Sequence, residues 1–233
     1  LQAHADRTRL KVREALVRSR TSLIIHTRNM LKAFGIQLPK CATTCFHKRV
    51  LEHLPEALKP AVVPLLESLK VFSRQIYEME KEIEKLAKER YPETIRLRQV
   101  VGVGPLLSLA FVLTLDDSAQ FTKSRDVGAY FGLVPRQRQS GERDPALGIS
   151  RQGDKLLRTL LTQAVQYQLA RHGPDCDLKR FGLKLIDKGG PKSRNRAVIA
   201  VARKLAVLLH RLWTTGEVYD PLYNSNRHLA RAA

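Results

Sequence analysis

The sequence predicts a mainly α protein: a long helical coiled-coil hairpin followed by a compact helical domain with a helix-hairpin-helix-like element. Three observations carry this. Val62, Leu65, Leu69, Phe72, Ile76, Met79, Ile83 and Leu86 recur at alternating spacings of three and four, a heptad seam. Residues 5–34 hold a second helical stripe in an arginine-rich background. Beyond Pro92, apolar runs at helical spacing are separated by glycine and proline turns, and the strand–helix alternation of a parallel sheet is absent.

In the first helix, over residues 5–34, Leu16, Leu23, Ile24, Met30, Leu31 and Phe34 form the apolar stripe, while Arg7, Arg9, Arg13, Arg18, Arg20 and Arg28 crowd the rest of the surface. That surface is either solvated or in contact with phosphate. Gly35 and Pro39 stop the helix. A short connecting helix is expected within residues 40–60, punctuated by Pro55 and Pro60. The 62–86 seam, with Glu and Lys at its wet positions, needs a partner: the first helix of the same chain or the same segment of a second molecule. Tyr91-Pro92-Glu93 then breaks the helix and sets the expected boundary between residues 1–93 and 94–219.

The next segment reads TIRLRQVVGVGPLLSLAFVL. A helix, the turn Val101-Gly102-Val103-Gly104 and an apolar helix opening at Pro105 fit two readings. One is an ordinary helix–helix corner. The other is a hairpin whose amides at the second helix's N-terminus hold a phosphate backbone, with Gly102, Val103 and Gly104 as binding residues. Asp116-Asp117 marks a helix end or a following cap rather than a metal pair.

Residues 121–158 carry the most distinctive wording. Ser140-Gly141 sits on a polar loop bracketed by Arg136, Arg138, Arg143, Arg151, Lys155 and Arg158. A hydroxyl followed by glycine and ringed by cations could attack a phosphodiester, with the arginines holding phosphate oxygens. Equally, Ser-Gly could be turn chemistry and the arginines a solvated face. A helix over Asp154–His172 follows, its first turn rich in cations that an anion would complement. The loop Gly189–Arg196, with Lys192 and Arg194 as further candidate nucleic-acid contacts, opens a last helix through Trp213. Residues 220–233 read as a loose polar tail.

Composition narrows the function class. Formal net charge is +19 and pI about 10.3, a nucleic-acid footprint, with a ribosome-like or membrane-surface role as the lesser options. Residues 1–55 hold 11 basic against 3 acidic side chains, residues 56–93 hold 7 against 8, and residues 94–233 hold 23 against 11. Mean hydropathy is −0.27, and neither a membrane-length apolar run nor a signal-peptide core is present. Three cysteines suit a reducing cytoplasm rather than a disulfide framework, and Cys41-x-x-x-Cys45 lacks the second pair a zinc site needs.

Phe121, the run Ala129-Tyr130-Phe131-Gly132-Leu133-Val134-Pro135, Ser140-Gly141 and the run from Gly148 to Arg158 together resemble the C-terminal domain of one group of insertion-sequence transposases, the IS-one-ten family (with IS-one-sixteen and IS-nine-oh-two). Arg196, Ala197, Ala200, Ala202, Lys204, Gly216 and Tyr219 are similar to its last segment. The resemblance implies DNA as substrate, Ser140 as nucleophile, a structured guide (bridge) RNA as partner, and oligomerisation and RNA binding through the coiled-coil linker. It also implies an N-terminal RuvC-like domain whose acidic residues bind a divalent metal. No such acidic set occurs in this sequence, so no metal-binding residues are assigned and Mg2+ is expected only with that other domain. The sequence begins at Leu1, so the expectation is a C-terminal portion of a recombinase, inactive alone. The alternative is a truncated, non-catalytic helix-hairpin-helix module that binds nucleic acid.

Overall fold

The computed structural model describes residues 2–136 and 147–232. They fall into two compact units, Leu1–Lys85 and Leu86–Ala233. Ser140, Gly141, Arg138 and Arg143 lie outside the described residues.

The first unit is an antiparallel helical hairpin. Helix α1 (Gln2–Ala33) ends where Gly35 takes φ 75° and its N–H bonds the Lys32 carbonyl at 2.9 Å, a left-handed stop that glycine adopts at no steric cost. Helix α2 (Phe46–Glu52) and a 3-10 turn at Glu56–Leu58 lead into α3 (Lys59–Glu89). The partner left open by the sequence is α1 of the same chain. Arg13 Nε donates to Glu80 Oε1 at 3.0 Å and Arg20 reaches Ser73 Oγ at 3.5 Å, so positions rise along α1 as they fall along α3. At the other end Ile24 and Leu31 share a core with Val62, Leu66 and Leu69, closed by Phe46 and Val50 of α2. Each such buried side chain contributes roughly 1.5–3 kcal/mol. Arg28 is structural: it lies 4.9 Å over the Phe46 ring and donates to the Leu38 and Pro39 carbonyls.

The second unit packs α4 (Glu93–Leu97), α5 (Pro105–Leu115), α6 (Asp126–Tyr130), α7 (Lys155–Gln168), α8 (Asp177–Asp187), α9 (Ser193–Thr215) and α10 (Tyr223–Ala232). Helix α5 is apolar on every side and buried from Leu107 to Leu113, which places it at the centre. Phe111 meets Phe131 and Trp213 edge-on at 5.6 and 6.4 Å. Helix α9 buries Ala197, Val201, Ala202, Leu205, Ala206 and Leu209 completely. Gly182 lets α8 approach it: a Cβ there would lie 2.9 Å from Val201 Cγ2.

Asp117 caps the 3-10 turn at Ser118–Gln120 by accepting from the Ala119 amide at 2.8 Å, while Asp116 closes α5 at φ 62°; both aspartates are punctuation. Asp154 caps α7 by accepting from the Leu157 amide at 2.9 Å. The helix stops at Gln168, short of His172, because Gly173 folds back against the Gln168 carbonyl. Helix α8, to which the sequence reading gave no element, starts at a buried cysteine: Cys176 Sγ accepts from the Lys179 amide at 3.4 Å. The region after Asp220 includes α10, held at its start by Asp177, whose carboxylate accepts from the Asn224 amide and the Ser225 hydroxyl, both at 2.6 Å. Among the described residues no helix is long and apolar enough to cross a membrane.

Candidate nucleic-acid interface

The wording around the serine loop has a local structural cause. The loop's two flanks pair as an isolated antiparallel bridge, Pro135 with Ile149, in which Arg136 N–H donates to Gly148 (2.8 Å) and Ser150 N–H to Val134 (2.9 Å). Below the bridge, Gly132 at φ 66° lies against Gln152, and Gly153 at φ 75° against the Tyr130 carbonyl. A Cβ on either would strike backbone, so these two glycines answer to packing as well as to φ. Arg158 on α7 locks the arrangement by donating to the carbonyls of Phe131 (3.2 Å) and Gln152. The described ends on either side, at Arg136 and Leu147–Gly148, are therefore held side by side.

Those ends stand on the wall of an open cleft of about 1100 Å³. Its long side is the outer face of α9, where Arg196, Ile199, Ala200, Arg203, Lys204, Val207, Leu208 and Arg211 follow one another at helical spacing. Pro135, Leu147, Ile149 and Arg151 form the loop-base wall, and Leu178, Phe181 and residues 217–224 the opposite one. Seven cations line it: Arg125, Arg151, Lys192, Arg196, Arg203, Lys204 and Arg211. Three acids, Asp177, Glu217 and Asp220, are also among the lining residues. Arg203 is held in place, its Cγ 2.8 Å from where a Gly128 Cβ would be, and Lys204 lies 4.3 Å over the Phe181 ring.

The candidates read from sequence separate on this surface. Arg151, at φ 59° with its N–H on the Gly132 carbonyl, and Lys192, at φ 60° as the α9 N-cap, line the cleft. Arg136, Lys155 and Arg194 are exposed but are not cleft-lining residues. Arg158 is turned inward onto carbonyls. Gly102, at φ 80°, packs toward α7, where a Cβ would lie 3.0 Å from the Ala164 carbonyl; Gln168 donates to the Val101 carbonyl at 2.6 Å, Val103 is buried and Gly104 is the α5 N-cap. Sequence reasoning missed Arg125, Arg203 and Arg211, and used Arg196 and Lys204 only as family wording. For the four on α9 the signal was a basic–apolar stripe at spacings of three, four and seven; Arg125 had none.

The far wall is electrostatically tuned. Asp177 is partly desolvated, yet the hydrogen bonds from Ser225 and Asn224 outweigh that and hold its carboxyl below the usual carboxylate range. Burial pushes the Tyr219 phenol well above its usual range, with Cys176, Asp177 and Asp220 adding to the effect, so it stays protonated and can donate. His210 is buried, its Nε2 donating to the Ser118 carbonyl and its Nδ1 taking the Ser124 hydroxyl, each at 2.9 Å; it is a packing residue away from the cleft. Among the described residues no group of three or more His, Cys, Asp or Glu side chains is placed to hold a metal ion, so the divalent cation implied by the resemblance finds no fitting donor set there.

Comparison with known proteins matches residues 95–180 to the IS116/IS110/IS902 family of transposases. The chain is 35% identical over 222 residues to the transposase for insertion sequence element IS1111A of Coxiella burnetii, covering 90% of this chain and 58% of that protein. It is 35% identical over 219 residues to the IS1328 transposase of Yersinia enterocolitica (90% and 63%). It is 31% identical over 219 residues to a probable family 20 transposase of Pseudomonas aeruginosa (91% and 64%). The chain thus spans about three-fifths of the length of these relatives. The loop wording and these matches place residues 95–180 in the IS116/IS110/IS902 transposase family, and the chain is similar to insertion-sequence transposases over nine-tenths of its length.

Proposed function

We propose that this chain is the strand-gripping part of an insertion-sequence transposase, and that Ser140 is its nucleophile. One observation supports the reading: Pro135 and Leu147–Ile149, which flank the stretch of sequence holding Ser140-Gly141, line a cleft that also carries seven cations. Cations converging on a concave wall hold phosphate oxygens and stabilise the charge that develops there. In the proposed step Ser140 Oγ bonds to phosphorus as the bond from phosphorus to the departing strand's oxygen breaks, and that oxygen leaves as a hydroxyl carrying the serine's proton. A second strand's hydroxyl then attacks the same phosphorus and releases the serine, so no ATP is consumed. Arg151, Lys192, Arg196, Arg203 and Lys204 hold the backbone. A guide RNA and a homo-oligomer built on the α1–α3 hairpin complete the proposed assembly, as does Mg2+ held by an acidic domain outside this sequence.

The test uses an oligonucleotide whose scissile oxygen is replaced by bridging sulfur, a leaving group that does not return. With Mg2+ and the part of the IS1111A transposase that this chain does not cover supplied in trans, the expected result is a covalent protein–DNA adduct on a denaturing gel with the wild-type chain and none with Ser140→Ala, while both bind DNA equally. An adduct that survives the substitution removes Ser140 from the role. Binding without any adduct favours the second reading, a non-catalytic module. What supports that reading is the turn at Gly102–Gly104, which leads into the N-terminus of α5.

A further inference from the structure

We infer that the cleft takes an unpaired strand, with at least one base laid on its apolar lining, rather than an intact duplex. This rests on the nucleic-acid reading above and goes beyond it by naming the state of the substrate.

The lining mixes two chemistries. Along α9 and the loop base the cations alternate with Ile149, Ile199, Val207 and Leu208, and Leu133 adds a further apolar side chain. Val218 and Leu147, also lining residues, are 83% and 36% exposed, so the cleft leaves large apolar side chains uncovered. A duplex offers a concave wall phosphates, sugars and base edges but not base faces, which are stacked on one another. It would satisfy the cations and leave the apolar surface facing charge. An unpaired nucleotide has both parts: a phosphate for the rim and a flat, apolar π-face for the lining. The aromatic rings at the far wall are already backed by cations, Phe181 by Lys204 at 4.3 Å and Tyr223 by Arg211 at 5.6 Å, an arrangement that suits stacking. Asn195 offers a polar group to a base edge. A volume of about 1100 Å³ exceeds the roughly 300–1,000 Å³ of small-molecule pockets, enough for a short run of nucleotides. Charge complementarity also argues against an apolar protein helix as the occupant, since seven cations would be left facing it.

The experiment measures binding of the full chain to one labelled DNA sequence in three forms: single-stranded, blunt duplex, and duplex with a central unpaired stretch. Leu147→Asp and Val218→Asp, at exposed positions, probe the lining; Arg203→Ala with Lys204→Ala probes the rim. The expected result is that the single-stranded and unpaired forms bind about tenfold more tightly than the blunt duplex, and that the lining variants remove that advantage. 2-Aminopurine in the unpaired stretch should change its fluorescence on binding in the wild type only. Equal binding of all three forms, unchanged by the lining variants but weakened by the rim variant, overturns this inference and leaves the nucleic-acid reading standing. Binding to no form, or binding insensitive to rim and lining alike, overturns both and returns the cleft to a protein partner.

Discussion

In residues 1–85 the cations lie along the outside of a helical hairpin and many have an acid within reach. Arg13 meets Glu80, Arg18 meets Glu14, Arg49 meets Glu52, Lys59 meets Glu56 and Arg74 meets Glu78. In residues 86–233 they converge instead. Arg125, Arg151, Lys192, Arg196 and Arg203 face one cleft with no ion pair to a described residue, and Arg211 pairs with Glu217 at its edge. Local neutralisation spends charge on the fold, where exposed pairs are worth little. Convergence in a concavity stores it for a polyanion. Net charge alone does not tell the two apart; position does.

The sharpest way to break the second unit is to attack the frame that aims its loop. Gly153→Val should destabilise the chain by roughly 2–4 kcal/mol, since a side chain meets the Tyr130 carbonyl at a positive φ; the shift in denaturation midpoint reads it. Arg158→Met should cost about 1–2 kcal/mol, by loss of the bonds to Phe131 and Gln152, and a charge-preserving Lys should recover only part of it. The double change Arg203→Ala, Lys204→Ala should weaken DNA binding about tenfold and reduce its salt slope by about 1.5, whereas Arg18→Ala, Arg49→Ala removes the same charge and should stay within about twofold. Equal losses would erase the distinction between the two units. Arg13→Met should cost only about 0.5 kcal/mol, because Glu80 is half exposed.

A smaller effect concerns acid. The folded Asp177 carboxyl titrates below its unfolded value, so its hold on α10 is complete above the ordinary carboxylate range and fades as pH falls through the lowered value. Proteolysis near Asn224 should accelerate only at strongly acidic pH, and Asp177→Asn should be cut more readily than wild type at neutral pH.

Much of this was legible before any coordinates. The 3.6-residue rhythm of α1 and α3, the Gly35 stop and the two punctuating aspartates follow from local chemistry, and local chemistry is written in order along the chain. The loop wording was legible as a motif, although the reason for its glycines was not: Gly132 and Gly153 are explained by backbone atoms some twenty residues away. Helix α8 escaped because its cap is a thiol rather than a hydroxyl or carboxylate. The α10 start escaped because its capping carboxylate comes from Asp177, far back in the chain. The cleft was hidden for the same reason, being assembled from residues between Arg125 and Asn224. Arg158 shows what sequence proximity leaves out, since one nitrogen of its guanidinium donates to two carbonyls of the loop's frame.

The most direct test of the cleft as the strand site is photocrosslinking of the full chain to bromodeoxyuridine-substituted DNA, followed by mass spectrometry of the adducted peptides. The account predicts adducts on the α9 face between Lys192 and Arg211 and on the loop base at Leu147–Arg151. Adducts confined to the arginine-rich face of α1, with α9 unmarked, would contradict it.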